Sequence, residues 1–127
     1  MQICDLHLHS THSDGSLSPT QLVEMAREKE IGSIALTDHD TISGVAEARQ
    51  AGQDRGVRVL SGVEISVEYA SKTVHMLGYC FESGSDKLRD GLDRLAGGRA
   101  ERNRKIVARL NELGAAITYD EVLAEAG

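Results

Sequence analysis

His7, His9, Asp14, His39, Glu64 and His75 are the residues of this sequence whose types and spacing could do chemistry together. Imidazole nitrogens and carboxylate oxygens are the donors that divalent metals take in hydrolytic sites. Four of the five histidines belong to this set. His7 and His9 stand two apart in an apolar run, and residues two apart in a strand face the same way, so the pair can grip one ion. Asp14 follows in a polar loop, where Gly15 gives the freedom to bring a carboxylate back over the strand end. His39 lies in Thr37-Asp38-His39-Asp40-Thr41, and Asp38 or Asp40 could hold its ring orientation and raise its basicity from behind. Glu64 follows Gly62 at the start of another strand-like run, with two oxygens able to bridge two ions, and His75 lies mid-strand. Singly, each has a plainer reading: a solvated histidine, an Asp-Gly turn, an exposed strand face. Their joint placement at successive strand ends is what those readings leave unexplained, so metal-dependent hydrolysis is the predicted chemistry.

The elements that must position these residues alternate. Ile3 to Leu8 reads as a short buried strand. Ser18, Pro19 and Gln21 form a helix start, with a capping-box spacing and proline at the first helical position; Leu22, Val23, Met25 and Ala26 supply the apolar face, and Gly32 ends the helix. Ser33 to Thr37 is a second strand, Gly44 to Arg55 a second helix capped by Ser43, and Val57 to Leu60 a third strand. This βαβαβ order predicts a parallel sheet or barrel. After Gly62 the pattern changes to two β-rich runs, Val63 to Tyr69 and Thr73 to Tyr79, joined by a tight Ala70-Ser71-Lys72 link. Beyond Ser83 the periodicity is helical, with a break expected at Gly97-Gly98, a stop at Gly114 and a second capping box at Thr118 and Glu121. The expected architecture is a half-barrel over 1–82 followed by a helical segment over 83–127.

Composition narrows the partners. The 127 residues, 40% hydrophobic and 27% charged, fit one soluble domain. Aromatics make up only 3% of the chain, which leaves few platforms for stacking bases. A net charge of −6 argues against a broad surface for duplex DNA but not against an anionic substrate, because bound cations reverse the local sign. Cys4 and Cys80 have no CxxC partner and are expected as buried, reduced thiols. Neither a signal peptide nor a membrane span is apparent, which predicts a cytoplasmic location.

The strings DLHLHSTHSDGSLSP, ALTDHDTISG, GVEIS and VHMLGY resemble successive motifs of the PHP family, the polymerase and histidinol phosphatase phosphoesterases, over essentially the whole chain. The similarity is greatest to the stand-alone branch acting on nucleoside 3′,5′-bisphosphates and short oligoribonucleotides. The resemblance implies a distorted, TIM-like (β/α)7 barrel with manganese, zinc or iron at the C-terminal strand ends. His7, His9 and Glu64 would hold one ion, Glu64 and His75 a second, and Asp14 and His39 a third. His39 and Glu64 are the candidates nearest the chemistry, which would be phosphoester hydrolysis by a metal-bound hydroxide. Members of this branch supply further ligands from a later histidine and a C-terminal Asp-x-His pair. The last histidine here is His75, so an N-terminal fragment is expected, partly metallated or inactive alone. An open barrel edge would then favour self-association.

The basic run from Gly97 to Lys105 is the expected substrate side. Glycines ahead of a helix start would leave amide donors open, and Arg99 and Arg102, three apart on one helix face, could bind phosphate. The resemblance strengthens this assignment, since the branch contacts a substrate phosphate with this region. The other functions considered are a histidinol-phosphate-type phosphatase, the PHP module of a DNA polymerase, and a metal-binding module without turnover.

Overall fold

The computed structural model describes residues 3–70, 72–82 and 84–126. Its elements are β1 (Ile3–Leu8), α1 (Pro19–Glu28), β2 (Ile31–Leu36), α2 (Val45–Arg55), β3 (Arg58–Tyr69), β4 (Lys72–Tyr79), α3 (Asp86–Glu112) and α4 (Tyr119–Ala126). They fall into two units, one ending at Leu88 and the second starting at Arg89. The expected boundary next to Ser83 lies outside the described residues.

In the first unit the sheet order is β1-β2-β3-β4. β1, β2 and β3 run parallel, as the βαβαβ pattern requires, and β4 returns antiparallel to β3. The change of rhythm after Gly62 is a change of partner rather than a break. β3 is one 12-residue strand that pairs with β2 through Arg58 to Ser61 and with β4 from Gly62 to Tyr69. Gly62 makes the switch possible, because a Cβ there would lie 2.6 Å from both the Leu36 carbonyl oxygen and Thr37 Cγ2. Tyr69 pairs directly with Lys72, so the connection is tight, although its Ser71 lies outside the described residues. The sheet curls: the Tyr79 hydroxyl of β4 donates to the Leu6 carbonyl of β1 at 2.7 Å, although the two strands stand at opposite ends of the sheet order.

The core lies between the sheet and its two crossover helices. Leu22, Val23 and Ala26 of α1 and Ala48 and Ala51 of α2 pack with Ile34, Leu36 and Val57. The α1 start is as the sequence predicts. Ser18 Oγ accepts the Gln21 N–H at 3.2 Å and Gln21 Oε1 accepts the Ser18 N–H at 2.9 Å. α2 differs, since its N-cap is Gly44 with no side-chain cap. Ser43, the expected cap, instead pairs its hydroxyl with His12 Nδ1 at 2.7 Å.

Two expectations about burial fail at the sheet edges. β1 is largely exposed, with Ile3 at 56% and Leu6 at 41%, and Cys4 and Cys80 are both free and exposed. An apolar strand-like run reads as buried when neighbours cover it. β1 and β4 each have one strand neighbour, and β4 is exposed along nearly its whole length.

In the second unit α3 runs unbroken through Gly97-Gly98, contrary to the expected break. Nothing lies within 4 Å of a Cβ built at either glycine, so no packing enforces their choice. The α4 capping box is present: Glu121 Oε2 accepts the Thr118 N–H at 2.7 Å, and Thr118 Oγ1 accepts the Glu121 N–H at 3.2 Å. Arg104 stacks over the Tyr119 ring, 4.8 Å from its centre. Among the described residues no helix is long and apolar enough to cross a membrane.

Candidate metal centre

Glu64 is the hub of the first unit's polar face. Its side chain is only 6% exposed, yet three imidazoles crowd it. Oε2 lies 2.8 Å from His7 Nε2 and 2.9 Å from His9 Nε2, and Oε1 lies 2.8 Å from His75 Nδ1. The sequence logic for His7 and His9 therefore holds in space, since the same-face pair of β1 and its continuation reaches one carboxylate oxygen. His75 arrives from β4, where it pairs across from Ser66, one same-face step along β3 from Glu64. Glu64 itself sits inside β3 rather than at a strand start.

His39 follows β2 and forms an isolated parallel bridge with Glu64. The Glu64 N–H donates to the Asp38 carbonyl at 3.1 Å and the Asp40 N–H to the Glu64 carbonyl at 2.8 Å. His39 Nε2 lies 3.6 Å from Asp14 Oδ2, and His9 Nδ1 lies 3.0 Å from Asp14 Oδ1. All six predicted side chains thus converge in one place. They form three overlapping groups whose donor atoms lie within 4.8 Å of one another: His7, His9 and Glu64; His9, Asp14 and His39; and His39, Glu64 and His75. The four imidazoles make a row, with successive ring centres 5.1, 4.6 and 4.8 Å apart.

The electrostatics favour the neutral form of His39. Burial lowers the pKa of His39, and the neighbouring His9 and His75 lower it further, against the opposing pull of Glu64 and Asp14. A neutral imidazole is the form that ligates a metal. Burial alone would raise the carboxyl of Glu64, but hydrogen bonds from His7 and His75 and the charge of His39 hold it below its ordinary value. His39 Nδ1 is buried without a hydrogen-bond partner, a loss that typically costs about 1–3 kcal/mol unless something satisfies it. A cation among these donors would supply the missing partner.

The flanking acids are placed differently from the expectation. The Asp38 carboxylate is directed at Ser10 and Ser13 instead of the His39 ring, and Asp40 Oδ1 accepts the Ser66 N–H at 2.7 Å. Ser10 and Ser13 are the residues the motif reading missed. The signal available was a pair of hydroxyls inside the ligand-bearing stretch His9 to Asp14. Arg99 and Arg102 belong to the second unit, on α3, with Arg102 exposed. The glycines before them lie within the helix, so their amides are not the open donors of a helix start.

An α/β protein with a curled half-barrel sheet and a His/carboxylate centre gathered around Glu64 is the class that fold and site define. The sequence profile of the PHP domain matches residues 5–121, and the chain belongs to that family. It is 41% identical over 116 residues to a 3′,5′-nucleoside bisphosphate phosphatase from Chromobacterium violaceum, covering 91% of this chain and 41% of that protein. To a 5′-3′ exoribonuclease from Haemophilus influenzae it is 39% identical, covering 91% of this chain and 42% of the other. A solved Bifidobacterium adolescentis structure, described provisionally as a metal-dependent phosphoesterase, superposes with a TM-score of 0.86 at 34% identity, covering 98% of this chain and 43% of that one. The chain thus spans about two-fifths of the length of these relatives.

Proposed function

We propose that this chain carries the metal-binding half of a phosphoesterase that removes phosphate from nucleoside 3′,5′-bisphosphates or short oligoribonucleotides. The observation that carries the reading is the convergence of four imidazoles and the carboxylates of Asp14 and Glu64 in one place, with His39 Nδ1 buried and without a hydrogen-bond partner. The relatives' names support the substrate class, since one is called a bisphosphate phosphatase and the other an exoribonuclease.

Counting lone pairs limits how many ions the six side chains can hold. A neutral imidazole offers one, so His9 and His39 can each serve only one of the two groups they belong to. Two complete sets follow: His7 and His9 with one oxygen of Glu64, and His39 and His75 with the other. Asp14 is then left for a third ion, with His9 at 3.0 Å and His39 at 3.6 Å as its neighbouring imidazoles. Manganese, iron and zinc all suit such donors.

Bound divalent ions supply an acidified water and neutralise charge on phosphoryl oxygens. The protein's own part is positional. Glu64 fixes the spacing of the two sets through its two oxygens, and the half-exposed His7 and His75, with the 67%-exposed Asp14, line the mouth through which a phosphate would enter. Arg99 and Arg102, on α3 of the second unit, are the proposed phosphate-binding side chains.

Phosphate release from a 3′,5′-bisphosphate, measured with and without chelator, tests this reading, with histidinol phosphate as the competing substrate. Activity lost to chelator and restored by Mn2+ is expected, with the bisphosphate preferred. Unchanged turnover in metal-free protein would overturn it.

A further inference from the structure

We propose that Asp38 is a positioning residue that clamps the 10–16 loop and so sets Asp14 as a metal ligand. This assignment rests on the metal reading above. Asp38 is 1% exposed and Ser10 fully buried, and three hydrogen bonds converge on the Asp38 carboxylate, two from Ser10 and one from Ser13. Asp38 Oδ1 accepts the Ser10 N–H at 2.6 Å and the Ser13 hydroxyl at 2.7 Å, and Oδ2 accepts the Ser10 hydroxyl at 2.7 Å. Ser10 is in turn the hub of the loop, since its carbonyl accepts the N–H groups of Ser13 at 3.0 Å and Gly15 at 2.9 Å. Asp14 sits between those two anchored residues.

Asp14 has little else to hold it. Its side chain is 67% exposed, and its close neighbours are the Ser13 hydroxyl at 3.4 Å, His9 at 3.0 Å and His39 at 3.6 Å. An exposed carboxylate ligates well only if the backbone beneath it is fixed. Gly15 shows how closely that backbone is seated, because a Cβ there would lie 2.1 Å from the His9 carbonyl oxygen. Asp38 also reaches the opposite side of the centre, where its carbonyl accepts the Glu64 N–H. One residue therefore ties the Asp14 loop by its side chain and the Glu64 strand by its backbone, next to His39 in sequence.

Asparagine at this position keeps the shape but retains one acceptor oxygen, and turns two N–H donors toward groups that already donate. Mn2+ titration calorimetry on the wild-type chain, Asp38→Asn, Ser13→Ala, Asp14→Ala and the Asp38→Asn/Asp14→Ala double variant tests the assignment, alongside amide exchange in metal-free protein. Asp38→Asn is expected to weaken Mn2+ binding about 10-fold or more, with Ser13→Ala weaker in the same direction. The double variant is expected to bind as Asp14→Ala alone does, because Asp38 acts through Asp14. In metal-free Asp38→Asn the Ser13 and Gly15 amides should exchange faster while β2 stays protected, which a general loss of stability would not produce. Unchanged Mn2+ affinity in Asp38→Asn, or losses that add in the double variant, would overturn the assignment and leave the metal reading standing. Should Asp38→Asn fail to fold, Ser13→Ala decides, and unchanged affinity there overturns it. A wild-type chain that binds no Mn2+ would remove the metal reading and this assignment together.

Discussion

His39 Nδ1 stands 3.8 Å from Glu64 Oε2, although the two residues are paired backbone to backbone in a parallel bridge. The gap is too long for a hydrogen bond. The backbone bridge sets this distance while leaving the ring nitrogen unpaired.

Glu64→Gln tests how much of the centre depends on that geometry. Glutamine keeps the shape but loses the charge and one of the two acceptor oxygens through which Glu64 would serve both proposed ligand sets. Mn2+ affinity is expected to fall more than about 100-fold, beyond the upper range for residues that merely support ligands. His75→Ala, which touches one set only, should cost less. Calorimetric titration of both variants checks the order, and equal losses would contradict the bridging role of Glu64.

Gly62→Ala probes the strand that carries Glu64. Its Cβ would meet the Leu36 carbonyl oxygen and Thr37 Cγ2 at 2.6 Å, contacts that can be relieved only by moving β2 from β3. The expected loss is about 1–3 kcal/mol of unfolding free energy, the range for overpacking. Urea denaturation measures it, and Mn2+ affinity should fall in parallel because the displaced segment leads directly into Glu64. An alanine variant of wild-type stability would show that the two strands separate freely.

The same glycine marks what the sequence could and could not show. The grouping of candidate side chains was legible, because the His7/His9 spacing, the Asp14 loop and the His39 motif are local patterns, and local patterns carry their own geometry. The change of β3 from a parallel to an antiparallel neighbour was not legible as such. Partner identity is a long-range property, and along the chain the switch at Gly62 looks like a strand ending. Burial failed for a related reason: Cys4 and Cys80 lie in apolar runs, but whether such a run is covered depends on elements elsewhere in the fold. The destination of the Asp38 carboxylate was likewise hidden, because Ser10 lies 28 residues away in sequence.

Gly97-Gly98 is the opposite case, where a local signal for a break is overridden. Glycine is about 1 kcal/mol less favourable than alanine in a helix interior, so the pair weakens α3 without ending it. Open space surrounds both positions, so alanine fits at each. Gly97→Ala/Gly98→Ala is expected to stabilise the second unit by about 1–2 kcal/mol. Thermal unfolding followed by circular dichroism measures the gain. A loss of stability would show that these glycines adopt a conformation alanine cannot.

The α4 start should respond to acid. Thr118 donates its backbone N–H and its hydroxyl to the Glu121 carboxylate, and both bonds hold the Glu121 carboxyl below its ordinary value. A carboxyl whose folded pKa is depressed favours the folded cap above the ordinary unfolded value, about 4.3, and that contribution disappears as the pH falls through the depressed one. Because Glu121 is exposed, the effect is confined to the first turn of α4 and weakened by salt. The protection factors of the Glu121 and Val122 amides, each referred to the intrinsic exchange rate at that pH, should therefore fall on acidification through the carboxylate range, and Glu121→Gln should abolish that fall while keeping an acceptor for Thr118. An acid response of the same size in Glu121→Gln would assign the titration to another group.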